Sequence, residues 1–233
     1  FQRQMSPGHY QAVLQYKAQQ PKYKYKMVWD IDDFIWGHNE LQGGTKEDGV
    51  PSYNFGYHGI TEEVKEYSVK IMEQMDLITV SSPFLKEYIE NTLQLKVPVK
   101  VVHNSVPKYF WGNKRKAEKK NPIVKPRILY SGSPTHYSNQ DKLLGDFDNS
   151  FKDFLLTNVK NNKIELIVMG DLPFFLEPVR EKIQFIPWLN SYQYHLGVKS
   201  AKADFSIGPL VPNNFNYSKS YIKYQEACAE GMV

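Results

Sequence analysis

Three aspartates close the apolar run "KMVWDIDDFIWGH" (26–38): Asp30, Asp32 and Asp33, followed by the aromatics Trp36 and His38. Carboxylates this close cannot all ionise without cost, which suits a general base or a group that orients an acceptor hydroxyl. An oxygen-rich cluster also suits Mg²⁺ or Mn²⁺, and the same residues read as an acidic loop in which one Asp caps the following turn. Trp36 and His38 are candidates for an aromatic wall against a sugar or a base, or for closing a core.

A second set lies near the other end, in "PLVPNNFNYSKSYIKYQEACAEG". Lys219, Lys223 and Glu226 recur at spacings of four and three in the expected helix, placing all three on one face. Such spacing is also that of an ordinary solvated face. Ahead of them, Asn216, the hydroxyls of Ser218 and Ser220, the Lys219 ammonium and the backbone N–H groups of a helix entrance make a set able to hold a diphosphate without a metal. Glu226, two turns deeper, is placed to accept hydrogen bonds from ribose hydroxyls. A third set follows "RILYS": Ser131, Gly132 and Ser133 form a small turn whose N–H groups can approach a phosphate, with Thr135 and His136 as polar neighbours. Gly170 in "VMGDLP" offers a similar turn, and both turns also have a purely structural reading.

Strands are expected at 26–30, 77–80 and 97–102, then at 127–131, 164–170, 182–186 and 203–208, from short β-branched or aromatic runs. Between them come helical periods. Thr61 is the expected N-cap of "TEEVKEYSVKIMEQM", Ser82 and Pro83 open "SSPFLKEYIENTL", and further helices are expected near 141–157, 174–181, 191–200 and 217–230. This alternation predicts an α/β chain with parallel sheets buried on both faces. The expected organisation is an N-terminal domain over 1–106, a basic linker over 107–126 and a C-terminal domain over 127–233. In and just after the linker, Lys114, Arg115, Lys116, Lys119, Lys120, Lys125 and Arg127 crowd around two prolines, as a solvated joint or a polyanion-contacting strip. Two such domains place ligands at the carboxyl ends of their strands, where the three candidate sets lie.

Composition narrows the class. The chain has 233 residues, 41% apolar and 23% charged, enough to bury more than one core. No apolar stretch approaches the roughly 18 to 20 residues of a membrane span, and the lone Cys228 excludes a disulfide framework within the chain and a cysteine metal cage. A cytoplasmic location is expected. The 29 basic and 25 acidic residues leave +4, which tolerates a polyanionic partner without demanding one. "PKYKYK" (21–26) leans slightly toward DNA, although alternating Lys and Tyr also fits a half-buried strand. The chain opens on Phe1 without methionine and stops at "EACAEGMV", just past a helix-terminating glycine, so both ends are expected to be cut.

Taken in order, these motifs resemble the GT-B glycosyltransferases, in the large retaining group that uses nucleotide sugars (glycosyl transferases group 1). "ILYSGSPTH" is similar to the Gly-ended strand that opens that family's C-terminal domain. "ADFSIGPLVPNNFNYSKSYIKYQEACAEGMV" is similar to its strand, loop and helix ending in E-A-x-A-x-G-x-P-V. In the first half, "DLITVSSPFLKEYI" and "VKVVHNSVP" resemble the run into the interdomain hinge, so the resemblance covers residues 26–233. The family carries two acidic residues eight positions apart near the last helix; Glu226 matches the second, while Ser218 stands at the first. "FNYSKS" (215–220) together with the D-D-x-x-W pattern of Asp32, Asp33 and Trp36 is similar to a subfamily that includes phage DNA-modifying enzymes.

The resemblance implies two Rossmann-like doubly wound domains facing a cleft. It implies a UDP- or GDP-sugar as donor substrate, no required cofactor, and Mg²⁺ or Mn²⁺ compatible but not expected. Donor-side residues would be Gly132, Ser133, His136, Asn216, Lys219, Ser220, Lys223 and Glu226. Asp30, Asp32 and Asp33 would act across the cleft on an acceptor hydroxyl. The acceptor would be a hydroxymethylated base of phage DNA or a surface polysaccharide, in a bacterial or phage-infected cell.

"VWDIDDFIWG" also resembles the opening motif of haloacid-dehalogenase-type phosphohydrolases, with Asp30 as phosphoryl-accepting nucleophile and Asp32 as general acid. Phe34 stands where that family has Thr or Val, and that reading leaves the segment from Lys219 to Glu226 unexplained.

Overall fold

The structure of the chain, a computed structural model, describes residues 7–36, 44–45, 51–52, 62–111, 125–140 and 142–232. In chain order its helices and strands are α1 (Pro7–Gln19), β1 (Val28–Ile31), an antiparallel pair β2 (Gly44–Thr45) and β3 (Pro51–Ser52), α2 (Glu62–Met72), β4 (Leu77–Val80), α3 (Pro83–Glu87), β5 (Val99–Val101) and α4 (Lys108–Trp111). Then come β6 (Arg127–Gly132), α5 (Asn149–Lys160), β7 (Glu165–Gly170), β8 (Gln184–Pro187), α6 (Ser191–Ala201), β9 (Phe205–Ile207), α7 (Asn214–Ser218) and α8 (Ile222–Ala229). The chain is α/β, with two parallel sheets in two compact units. Among the described residues the first unit holds 7–36, 62–104 and 213–220, and the second holds the rest.

In the first unit β4 lies between β1 and β5, all parallel, with Val28 opposite Leu77 and Ile78 opposite Val99. The period of two sets the faces. Trp29 and Ile31 are fully buried, as are Ile78 and Val80, and each is worth roughly 1.5–3 kcal/mol in water-to-core transfer. Val28 and Asp30 occupy the other face of β1. Ile71 and Met72 of α2 close the core from one side. The expected opening of α3 is observed: the Ser82 hydroxyl accepts from the Leu85 N–H at 3.3 Å, Pro83 takes the first helical position, and the helix runs into a π turn over Tyr88–Thr92. Thr61, expected to cap α2, lies outside the described residues, as do His38 and the basic cluster from Lys114 to Lys120.

In the second unit four parallel strands run in the order β8-β7-β6-β9. The first strand is thus interior, and the fourth crosses to its other side. Alternate residues feed two cores. Ile128, Tyr130, Leu166 and Val168 pack with Leu155 and Val159 of α5, while Leu129, Ile167 and Met169 pack with Val198 of α6 and Ala227 of α8. Burial on both faces is why these strands read as unbroken apolar runs. A sheet wound this way has a switch point where β6 and β9 lie side by side, and ligands in such folds sit beyond the carboxyl ends of the strands there.

Three helix expectations need correction. The helix expected from 141 begins at Asn149, because Asp148 accepts from the Phe151 N–H at 2.7 Å and caps it there. Residues 174–182 form a 3₁₀ helix with Pro178 inside, a residue that cannot donate within an α-helix. The helix expected over 217–230 is two helices, broken where Lys219 turns extended (φ −64°, ψ 143°). Lys219 therefore does not share a helical face with Lys223 and Glu226.

Candidate functional site

The carboxyl ends of β6 and β7 and the segment after β8 surround a cavity of about 250 Å³ in the second unit. β6 supplies Ser131 and Gly132, and the 3₁₀ turn after it Ser133 and His136; β7 supplies Met169 and Gly170; Trp188 and Leu189 follow β8, and Tyr194 and Lys223 enter from α6 and α8. Two glycines in its lining leave no room for a side chain. A side chain on Gly132 would overlap the Tyr130 phenol. Gly170 has φ +107°, and a Cβ there would stand 2.7 Å from the Gly132 carbonyl oxygen and 3.2 Å from the Trp188 ring. Gly170→Ala is therefore expected to lose about 1–3 kcal/mol of stability, read as a lower denaturant midpoint at unchanged slope.

One phenol organises the charged wall. The Tyr194 hydroxyl donates to Glu226 Oε2 at 2.8 Å, lies 3.1 Å from Ser131 Oγ, and accepts from the Lys223 ammonium. Lys223 Nζ also pairs with Glu226 Oε2 at 3.2 Å, across three residues of α8. Burial raises the Tyr194 pKa, and the Lys223 charge pulls it only part of the way back. For Lys223 burial alone would lower the pKa; the Tyr194 and Glu226 oxygens outweigh it and hold the ammonium above its ordinary range. The Glu226 side chain is only 12% exposed, and its Oε2 serves both Tyr194 and Lys223. Tyr194→Phe leaves a buried carboxylate short of a donor and should cost about 1–3 kcal/mol in a denaturant melt.

His136 is fixed from behind. Its Nδ1 lies 2.7 Å from Asp146 Oδ2, Asp146 is buried, and the other carboxylate oxygen accepts from the Val211 N–H at 3.1 Å. Such a carboxylate favours the tautomer with hydrogen on Nδ1 and leaves Nε2 for a ligand.

Of the residues expected on the donor side, Gly132, Ser133, His136 and Lys223 line this cavity, and Glu226 braces it. Asn216, Lys219 and Ser220 do not join them, because their segment packs into the first unit. Tyr217 meets Phe84 of α3 with ring centroids 5.8 Å apart, and Asn104 donates to Ser220 Oγ at 3.1 Å. Lys219 Nζ stands 4.0 Å over the Phe215 ring. The Asn216 N–H is spent on the Asn213 cap at 2.8 Å, and Ser218 is fully buried, donating to the Phe215 carbonyl at 2.6 Å. Asp30, Asp32 and Asp33 belong to the same unit as Lys219, not to a different one.

The three aspartates are not one cluster. Asp30 is inside β1 and accepts from the Thr79 hydroxyl of β4 at 2.6 Å, directly across the ladder. Asp32 and Asp33 lie beyond the strand end, half-buried, and the Asp32 carbonyl accepts from Ser81 Oγ at 3.0 Å. His103, after β5, has Nδ1 3.2 Å from the Ser81 carbonyl. The carboxyl ends of the three strands thus gather Asp32, Asp33, Ser81 and His103. Among the described residues no three His, Cys, Asp or Glu side chains converge as a metal site, these aspartates included.

Tyr194, Trp188 and Asp146 were not legible as site residues. Tyr194 continues the stripe of Val198 and Ala201 at spacings of four and seven, which reads as core, and only its hydroxyl enters the network with Glu226 and Lys223. No protein-family model matches the chain, and no curated protein matches it. Among the described residues no helix is long and apolar enough to cross a membrane.

Proposed function

We propose that the chain is a nucleotide-sugar-dependent glycosyltransferase of the GT-B type, with the second unit binding the donor. The observation that carries this reading is the cavity beyond β6 and β7, where a glycine turn, His136 and the braced Lys223 ammonium converge. A nucleoside diphosphate needs these groups: N–H donors that approach closely, and a fixed positive charge facing the phosphates. When the glycosidic bond to the diphosphate breaks, negative charge grows on the departing oxygen, and a preorganised ammonium there stabilises the transition state more than the ground state. Glu226 and Tyr194 keep Lys223 in place; the resemblance would also let Glu226 reach ribose hydroxyls. Asp32 and Asp33 are the acceptor-side groups, and the acceptor is a hydroxymethylated base of phage DNA or a surface polysaccharide.

The test is isotope release from a panel of UDP-, GDP- and ADP-sugars, run beside phosphate release from an aryl phosphate. Sugar release or thermal stabilisation by one donor supports the reading, since stabilisation grows with the logarithm of ligand concentration over affinity. Phosphate release alone would instead favour a phosphohydrolase with Asp30 as nucleophile.

A further inference from the structure

The segment 16–26, "YKAQQPKYKYK", has no part in either set of strand ends. It carries Lys17, Lys22, Lys24 and Lys26, and no Asp or Glu occurs anywhere in residues 1–29. It follows the last turn of α1 into the coil before β1. Three tyrosines gather on it: Tyr16 and Tyr25 have ring centroids 5.9 Å apart, Tyr23 and Tyr25 5.7 Å, with interplanar angles of 52° and 50°. Tyr16 is 57% exposed and Tyr23 53%. Lys22 Nζ sits 5.1 Å from the Tyr23 ring centroid, and Lys22 and Lys24 are exposed. Lys26 pairs with Asp76 at 2.8 Å, which anchors the coil to the start of β4.

We propose that this ledge binds single-stranded nucleic acid, its lysines meeting phosphates and its tyrosine rings stacking on bases. Rings open on one face can stack only on a base whose own face is open, which a strand offers and an intact duplex does not. The lysines recur at 22, 24 and 26 beside the rings, so charge and stacking surface travel together along the chain. A lipid surface is the poorer fit: residues 15–26 contain no Leu, Ile, Val, Phe, Met or Trp to enter acyl chains. The inference does not rest on glycosyl transfer, and either can fail while the other stands.

The test is fluorescence anisotropy of the whole chain with a labelled fifteen-nucleotide oligo-dT. Engagement of Lys17, Lys22 and Lys24 predicts that affinity falls by about 20-fold between 50 and 200 mM salt, since each neutralised phosphate of a single strand contributes about −0.7 to the logarithmic slope. K17Q/K22Q/K24Q should remove about 2 from that slope. Tyr23→Ala should weaken binding by about 5- to 150-fold, the range for loss of one stacked base, while Tyr23→Phe should retain it. Tyr23 lies exposed in a turn, so its substitution does not threaten folding, and a thermal melt verifies this. No oligo-dT binding at 50 mM salt overturns the proposal. So does binding that the lysine and Tyr23 substitutions leave unchanged, heparin binding as tight as oligo-dT with Tyr23→Ala silent, or tighter capture by phosphatidylglycerol vesicles than by oligo-dT.

Discussion

Lys223→Ala is expected to weaken donor binding by about 10- to 150-fold, equivalent to about 1.5–3 kcal/mol for a hydrogen bond to a charged group. Lys223 is the cation at the cavity wall, and it is held there by Tyr194 and Glu226. Titration calorimetry with the responding nucleoside diphosphate sugar measures the loss. Lys219→Ala is expected to lose less, because Lys219 lies over Phe215 in the first unit. A larger loss from Lys219 would move the diphosphate away from the cavity. The alkaline limb carries a second signature. A lysine whose folded pKa is raised contributes fully below its ordinary range, and its contribution disappears as pH rises through the elevated value. Donor binding should therefore persist past the point where an ordinary lysine deprotonates, and Glu226→Gln should bring that limb to lower pH.

Asp32→Asn and Asp33→Asn are expected to depress sugar transfer by about a hundred- to ten-thousand-fold while changing donor affinity little, as for a positioned acid or base. Both residues lie half-buried just beyond the carboxyl end of β1, where the Asp32 carbonyl accepts from the Ser81 hydroxyl. Asp30 has a different job. Its bond to Thr79 ties β1 to β4, so Asp30→Asn should act mainly on stability, seen in a denaturant melt. Single-turnover rates with saturating donor separate these cases. Equal loss of donor affinity and rate in the Asp32 and Asp33 variants would take both out of the acceptor role, and a covalent aspartyl-phosphate on Asp30 would replace transfer by phosphohydrolysis.

Local signals told the elements apart well. "LITV" is β4 residue for residue, Ser82 and Pro83 open α3 as caps should, and the apolar runs of β6 and β7 announce strands covered on both faces. The last helix shows what spacing alone cannot say. Lys219, Lys223 and Glu226 fit a helical period, but the period holds only where the backbone stays helical, and the Asn213 cap opens a separate short helix that ends at the buried Ser218. "DIDD" misled differently: β1 ends at Ile31, so Asp30 stays in the ladder and meets Thr79 while Asp32 and Asp33 pass beyond the sheet. The Tyr194 network joins residues 131, 194, 223 and 226, and no local pattern connects positions so far apart.

The return of residues 213–220 to the first unit sets an order on synthesis. The four strands of the second sheet lie within residues 127–207 and are complete once that stretch has left the ribosome. The first unit, although it begins the chain, waits for Tyr217 to cover Phe84 and for Ser220 to meet Asn104, a closure spanning 116 residues between those two hydrogen-bonding partners. Contacts that distant form late and slowly. A nascent chain released before residue 213 would carry the four paired strands of the second sheet without α8, and a first unit with its α3 face uncovered, so the half made first is the half exposed longest to proteases and chaperones.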